Sequence, residues 1–190
     1  ADEGYPAYAV GGFTLDAGRN VITQVSWWGG YENNPSLVPP DDFTISIYGV
    51  MPEVPDWDQM PALSPLFSFD IATVTRRLTD CPMRFLDWDV YAYTAAIGPV
   101  ELEPDTTYYL SITNNTHRLG AGWGWSDADY GSGRIGYFRN DASSPWTWNG
   151  IVPAFFLSSD QVPVPEPATV TLMGLGVLFL GVWHGNRIKN

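Results

Sequence analysis

Phe43-Thr44-Ile45-Ser46-Ile47-Tyr48 alternates between apolar and hydroxyl-bearing side chains, with Phe43, Ile45 and Ile47 on one face. A period of two marks a strand with one face in a core, because successive side chains of an extended backbone point to opposite sides. The pattern recurs in Val21-Ile22-Thr23-Gln24-Val25-Ser26-Trp27 and in Leu66-Phe67-Ser68-Phe69-Asp70-Ile71. Shorter runs rich in β-branched and aromatic residues follow at Phe85 to Tyr93, Thr107 to Thr113, Gly122 to Ser126, Ile135 to Arg139 and Phe155 to Leu157. Clusters of Gly, Pro, Asn and Asp separate these runs, and no stretch before Val164 sustains a 3.6-residue apolar period. The pattern predicts an all-β domain over residues 1–160, an antiparallel, jelly-roll-like β-sandwich of about eight to ten strands. Met51 to Pro65 carries Pro52, Pro55, Pro61 and Pro65. It is expected to be an irregular loop, because proline lacks the amide proton that a central strand must donate.

Beyond residue 160 the chemistry changes. Pro163, Pro165 and Pro167 hold φ near −65° and predict an extended linker over 161–167. From Ala168 to Trp183 there is no charge, and Leu172, Leu175, Val177, Leu178, Phe179, Leu180 and Val182 make the run continuously hydrophobic. It predicts a single short C-terminal transmembrane helix within 168–190, at the lower limit of the ~17–25 residues a span requires. Trp183 would sit at the interface, and the basic flank of Arg187 and Lys189 would reach the headgroups. Basic residues after the apolar run favour a cytoplasmic C-terminus and an exported N-terminal domain. A buried core helix is the competing reading, and Gly174, Gly176 and Gly181 lower helix propensity in either case.

Val164-Pro165-Glu166-Pro167-Ala168, then Thr169, the glycine-containing apolar run and the basic end resemble a PEP-CTERM sorting signal. The resemblance implies an exported bacterial protein whose Pro-Glu-Pro element is recognised by an exosortase, a membrane protease-transpeptidase that removes the hydrophobic tail. It implies inner-membrane anchoring before processing. It also implies a final place at the cell surface or in the extracellular matrix of a Gram-negative bacterium, associated with exopolysaccharide or biofilm. The family usually closes on an arginine cluster, whereas Asn186-Arg187-Ile188-Lys189-Asn190 is thin. Val25 to Tyr31, Asp41 to Tyr48, Thr107 to Ile112, Trp123-Gly124-Trp125 and Pro153 to Leu157 are similar to the β-sandwich domains that precede such tails.

Charge narrows the partners. The chain holds 21 acidic and 9 basic residues, a net −12, and its only lysine is Lys189 in the tail. A lysine-free acidic ectodomain excludes nucleic-acid binding, which needs a basic patch to neutralise phosphates. It suits neutral glycans, divalent cations or solubility in a crowded matrix. Nothing in Ala1–Leu15 has the charged-then-apolar pattern of a signal peptide, so one is expected to have been removed already. The single cysteine, Cys81, allows no internal disulfide and reads as a small buried hydrophobe.

Two constellations are candidates for binding. Flat aromatic rings pack against the C–H faces of sugars, and Trp27-Trp28, Trp123-Gly124-Trp125 and Trp146-Thr147-Trp148 lie beside Gly, Asn or Asp. These six tryptophans are the expected glycan contacts. Neighbours on a strand point to opposite sides, so either Trp27 or Trp28 should reach the surface. The i, i+2 pairs share a face that can equally belong to the core, where aromatic residues dominate sandwich packing. Asp127-Ala128-Asp129, followed by Gly131 and Gly133, is the best loop for a structural calcium, since paired carboxylates supply hard oxygen ligands. It lacks the third acid and distal Glu of an EF-hand loop, and solvated turn aspartates are the plainer explanation. Asp56/Asp58, Asp87/Asp89 and adjacent Asp41-Asp42 are weaker pairs.

Catalysis finds little support. His117 has no Gly-x-Ser-x-Gly partner, two histidines cannot build a multi-histidine zinc site, and Glu101 and Glu103 flank a turn. The expectation is a non-enzymatic, structural or adhesive envelope or matrix protein without a cofactor. A lectin-like carbohydrate-binding module is the alternative, and a secreted glycoside-active enzyme the more remote one.

Overall fold

The computed structural model describes residues 8–31, 41–52, 59–80, 89–115, 123–126, 136–148 and 153–159. The chain divides into two units, Ala1–Ser159 and Asp160–Asn190. The second lies outside the described residues, and with it the expected linker, the expected transmembrane helix and Arg187 and Lys189. Among the described residues no helix is long and apolar enough to cross a membrane.

Every element described is a strand: β1 (Tyr8–Phe13), β2 (Val21–Tyr31), β3 (Phe43–Tyr48), β4 (Phe67–Ile71) and β5 (Thr75–Leu78) come first. They are followed by β6 (Val90–Glu101), β7 (Tyr108–Asn114), β8 (Trp123–Trp125), β9 (Gly136–Arg139), β10 (Thr147–Trp148) and β11 (Phe155–Ser158). All pairings are antiparallel. One sheet runs β10-β9-β1-β7-β3-β4, and the other β11-β2-β6-β5 with β8 also paired to β2. On one edge β2 follows β6 from Val21 to Gly30; on the other it meets β11 at Gln24 to Trp27 and then β8 at Gly29 to Tyr31.

The alternation of β3 works as the sequence indicates: Phe43, Ile45 and Ile47 are completely buried. Leu110 and Ile112 of β7 join them, and across the gap stand Val25 and Trp27 of β2 and Tyr93 and Ala95 of β6. Trp27 stacks on Tyr93 with ring centroids 5.4 Å apart, and Phe43 meets each ring edge-on at 5.2 Å. Aromatic contacts of this kind add about 0.5–1.5 kcal/mol each beyond area burial. With one cysteine in the chain, this packing takes the place of cross-links.

The first sheet is covered on its other face as well. Val10, Tyr48, Tyr109, Tyr137 and Trp146 form a second apolar cluster there. Residues 59–63 meet it there. Tyr109 and Tyr137 both donate to the Gln59 carbonyl, at 2.6 and 2.9 Å, and Trp146 Nε1 donates to the Ala62 carbonyl at 3.0 Å. Of the expected Met51–Pro65 loop, the described part holds only the bridge Val50–Pro61, in keeping with its prolines. Arg139, 3% exposed, lies inside this cluster with its guanidinium 4.3 Å from the Trp146 ring centroid and 5.1 Å from that of Tyr8. It donates to the Leu63 carbonyl (2.9 Å) and to the Tyr48 hydroxyl (3.2 Å). Hydrogen bonds and ring faces thus replace part of the water that the cation loses, with Nε left without a hydrogen-bond partner among the described residues.

Four strands depart from the sequence reading. The run expected from Phe85 to Tyr93 is a strand from Val90 to Glu101, and Phe85 to Trp88 lie outside the described residues. β1, β5 and β10 had no expected counterpart.

Two substitutions test the packing. A methyl group at Gly29 would fall against the Trp123 ring and 2.7 Å from the Gly124 carbonyl oxygen, a backbone atom that cannot swing aside. Gly29→Ala should therefore cost about 1–3 kcal/mol in a denaturant melt, the range for an overpacked site. Arg139→Ala removes a packed stem together with both hydrogen bonds and should cost about 2–4 kcal/mol. A change within 0.5 kcal/mol of zero in either melt, on the order expected of a neutral surface site, would contradict the account.

Candidate functional site

The tryptophans separate by register. Trp27 is completely buried between the sheets, so its ring cannot serve a glycan, and Trp28 faces outward, partly buried against Val90. Trp123 pairs with Tyr31 and Trp125 with Gly29, which turns both indoles toward the inter-sheet core. Trp125 Nε1 donates to the Ala154 carbonyl at 3.0 Å, a hydrogen bond that fixes the ring where it packs. Trp146 and Trp148 do not act as a pair. Trp146 precedes β10 and is buried beneath Arg139, whereas Trp148 on β10 is 67% exposed. The expected glycan contacts at Trp27 and Trp146 are corrected accordingly, because core packing claims both rings.

Strand register also assembles a surface that the sequence reading missed. On the outer face of the second sheet, Phe156 lies beside Ser26, Ser26 beside Thr94 and Thr94 beside Thr75. One rung along, Ser158, Gln24 and Ala96 line up; on the other side stand Trp28, Ala92 and Arg77. These three rungs contain no carboxylate, although the chain as a whole is strongly acidic. Phe156 is 61% exposed. As the diagonal neighbour of Trp28, it stands about 7 Å from it on the same face. Ser26 Oγ and Thr94 Oγ1 share a hydrogen bond of 3.0 Å, and Ser158 Oγ donates to Gln24 Oε1 at 3.2 Å. The signal for Phe156 was present in Phe155-Phe156: two adjacent aromatic residues on a strand cannot both enter the core.

A third cluster is polar and partly buried. Asp41 accepts from Arg76 Nη1 at 3.0 Å and from the Tyr31 hydroxyl at 3.3 Å. Asn114 Nδ2 donates to Tyr31 at 3.0 Å, and the Arg76 guanidinium lies over Tyr91. Burial pushes the Asp41 carboxyl above its ordinary value, against the lowering pull of Arg76 and Tyr31. Burial likewise keeps the Tyr93 phenol neutral, reinforced by nearby Tyr31 and Asp41. Neighbouring Asp42 is held by Asn115 Nδ2 at 3.0 Å. Tyr31 and Asn114 are buried while Arg76 and Asn115 are exposed, so the cluster ties the surface to the interior and reads as a structural junction. Asp127 and Asp129, proposed for calcium, lie outside the described residues, as do Asp56, Asp58, Asp87 and His117. Among the described residues no three His, Cys, Asp or Glu side chains gather in a metal-binding group.

The PEP-CTERM protein-sorting motif matches residues 163–187, which include Val164, Pro165, Glu166, Pro167 and Ala168. No curated protein and no solved structure matches the chain. The chain therefore carries a PEP-CTERM sorting signal: it is an exported protein, sorted by an exosortase and anchored at the membrane through that segment before processing.

The Asp41 geometry makes a pH prediction. A carboxyl raised above its ordinary 3.8 in the folded state keeps its proton longer there than in the unfolded chain. Its contribution to stability is thus most favourable below 3.8 and is lost as pH rises through the folded value. Asp41→Asn retains an oxygen for Arg76 and Tyr31 but has no such titration. The melting temperature of wild type minus that of Asp41→Asn should fall as pH is raised from roughly 3 to 6. A difference that stays constant or rises would contradict the assignment.

Proposed function

We propose that this exported protein is a non-enzymatic structural or adhesive component of the cell envelope or extracellular matrix of a Gram-negative bacterium. The sorting motif at residues 163–187 carries the reading, because it directs the sandwich to a place outside the cytoplasm. The character of the ectodomain supports it. Its acidic, lysine-free composition suits a protein that stays soluble among matrix polymers and avoids anionic surfaces. The acid with the clearest upward shift, Asp41, is tied to Arg76 and Tyr31 rather than free to exchange protons with a substrate. In this reading residues 168–190 form a short membrane helix that holds the chain until an exosortase cuts near Pro165-Glu166-Pro167. The mature product is then the sandwich itself. Glycan contact is the second reading, favoured by the carboxylate-free outer face around Ser26 and Thr94.

Replacing Pro165, Glu166 and Pro167 together by alanine tests the reading in the native host. Wild type should be recovered from the surface or matrix fraction in a shortened form. The variant should remain full length in the membrane fraction, with its surface yield falling by about tenfold or more, as for loss of a specific recognition element. Equal yield and equal size for the two proteins would overturn the proposal.

A further inference from the structure

We propose that the outer face of the second sheet is a binding platform for a neutral polysaccharide strand, gripped by Phe156 and Trp28 and hydrogen-bonded by Ser26, Thr94 and Gln24. This rests on the exported, adhesive reading above and gives it a ligand class and a face.

The first reason is electrostatic. In a chain with 21 acidic residues, three consecutive rungs spanning β11, β2, β6 and β5 carry no carboxylate and a single guanidinium, Arg77. Such a face neither repels a neutral polymer nor offers the run of cations that a nucleic acid or anionic membrane requires. The second reason is shape. Apart from Phe156, Trp28 and Arg77, the side chains are Ser, Thr, Ala and Gln, so the exposed Phe156 ring and the half-buried Trp28 ring flank a floor of smaller groups. Phe156 is 61% exposed in a face where Ser26 and Thr94 are only partly so. An exposed ring on a floor of small polar groups matches the alternating C–H and hydroxyl surface of a pyranose chain.

The third reason is preorganisation. Ser26 and Thr94 hold each other at 3.0 Å, and Ser158 holds the Gln24 carbonyl oxygen at 3.2 Å. One hydroxyl proton of the Ser26–Thr94 pair is used between them, which leaves the pair a second proton, and the Ser158 bond uses the Gln24 oxygen and neither of its amide protons. Fixed donors cost little ordering entropy on binding. A second copy of this chain is a poorer occupant, since the centres of protein interfaces are more apolar than a serine- and threonine-rich floor.

The test is native affinity electrophoresis of the full chain in detergent micelles through gels containing hydroxyethylcellulose, a neutral β-glucan, or alginate, an anionic one. Wild type should be retarded by hydroxyethylcellulose, with little dependence on salt. Phe156→Ala should weaken the retardation about tenfold, and Phe156→Trp should preserve it. Trp148→Ala, which removes an exposed ring from the other sheet, should change nothing, and thermal melts should show all three variants folded. Retardation that is equal in wild type and Phe156→Ala, or absent, overturns the platform. Retardation by alginate alone, abolished by salt, overturns the neutral-ligand assignment, and a concentration-dependent dimer lost in Phe156→Ala gives the face to a second copy instead. Because sorting is scored separately by cell fractionation, a correctly exported and shortened protein that ignores hydroxyethylcellulose refutes this inference alone.

Discussion

Strand β2 is hydrogen-bonded along both edges, by β6 on one side and by β11 and β8 in series on the other. That double pairing leaves it no freedom of register, and most of what has been described depends on it. A slip of one residue would carry Trp27 into water and Ser26 and Trp28 into the core, since side chains alternate with a period of two. The stacked Trp27–Tyr93 pair and the small polar floor on the opposite face are therefore consequences of one alignment. Neither can be altered without the other. Gly29 is part of the same constraint, because the strand must let the Trp123 ring and the β8 backbone come closer than a Cβ would allow.

The sequence made the type of fold legible, and strands with one dry face most legible of all. Phe43, Ile45 and Ile47 announced their burial because nothing but a core would accept that alternation. β5 was invisible for the opposite reason: Thr75-Arg76-Arg77-Leu78 lies at a sheet edge with all four residues exposed, so no apolar period marks it. β1, Tyr8-Ala9-Val10-Gly11-Gly12-Phe13, was masked by its glycines, one of which lets Phe155 approach closely. The candidate site was half legible. Local pattern says that Trp27 and Trp28 point in opposite directions, but only the opposing sheet decides which of them is covered. For Trp123 and Trp125 the spacing gave a shared face, and the pairing with Tyr31 and Gly29 made it the inner one. The floor of Ser26, Thr94, Thr75 and Gln24 could not be read locally at all, since residues so far apart in the chain meet only through strand pairing.

Distance along the chain also governs how this fold can form. β1 pairs with β7 and β9, and Val25 of β2 meets Leu157 of β11. Pairings so remote are slow to form, because loop-closure entropy must be overcome before any contact rewards it. Without a disulfide to hold intermediates, the second sheet is complete only once the chain has emerged as far as Ser158. The sorting segment follows within a few residues, at 163. A chain held at the membrane there would have its last strand available only late in export.

Arg139 has a further consequence. Its guanidinium is bound by a carbonyl, a hydroxyl and aromatic faces rather than by a carboxylate. The attachment of Leu63 to the first sheet is thus held by a cation without any carboxylate counterpart among the described residues. Among the described residues mobile ions have no ion pair to screen at Arg139, and acid has no carboxylate to neutralise. Outside the cytoplasm salinity and acidity are set by the surroundings, and a contact made of a guanidinium, a carbonyl, a hydroxyl and ring faces is little exposed to either.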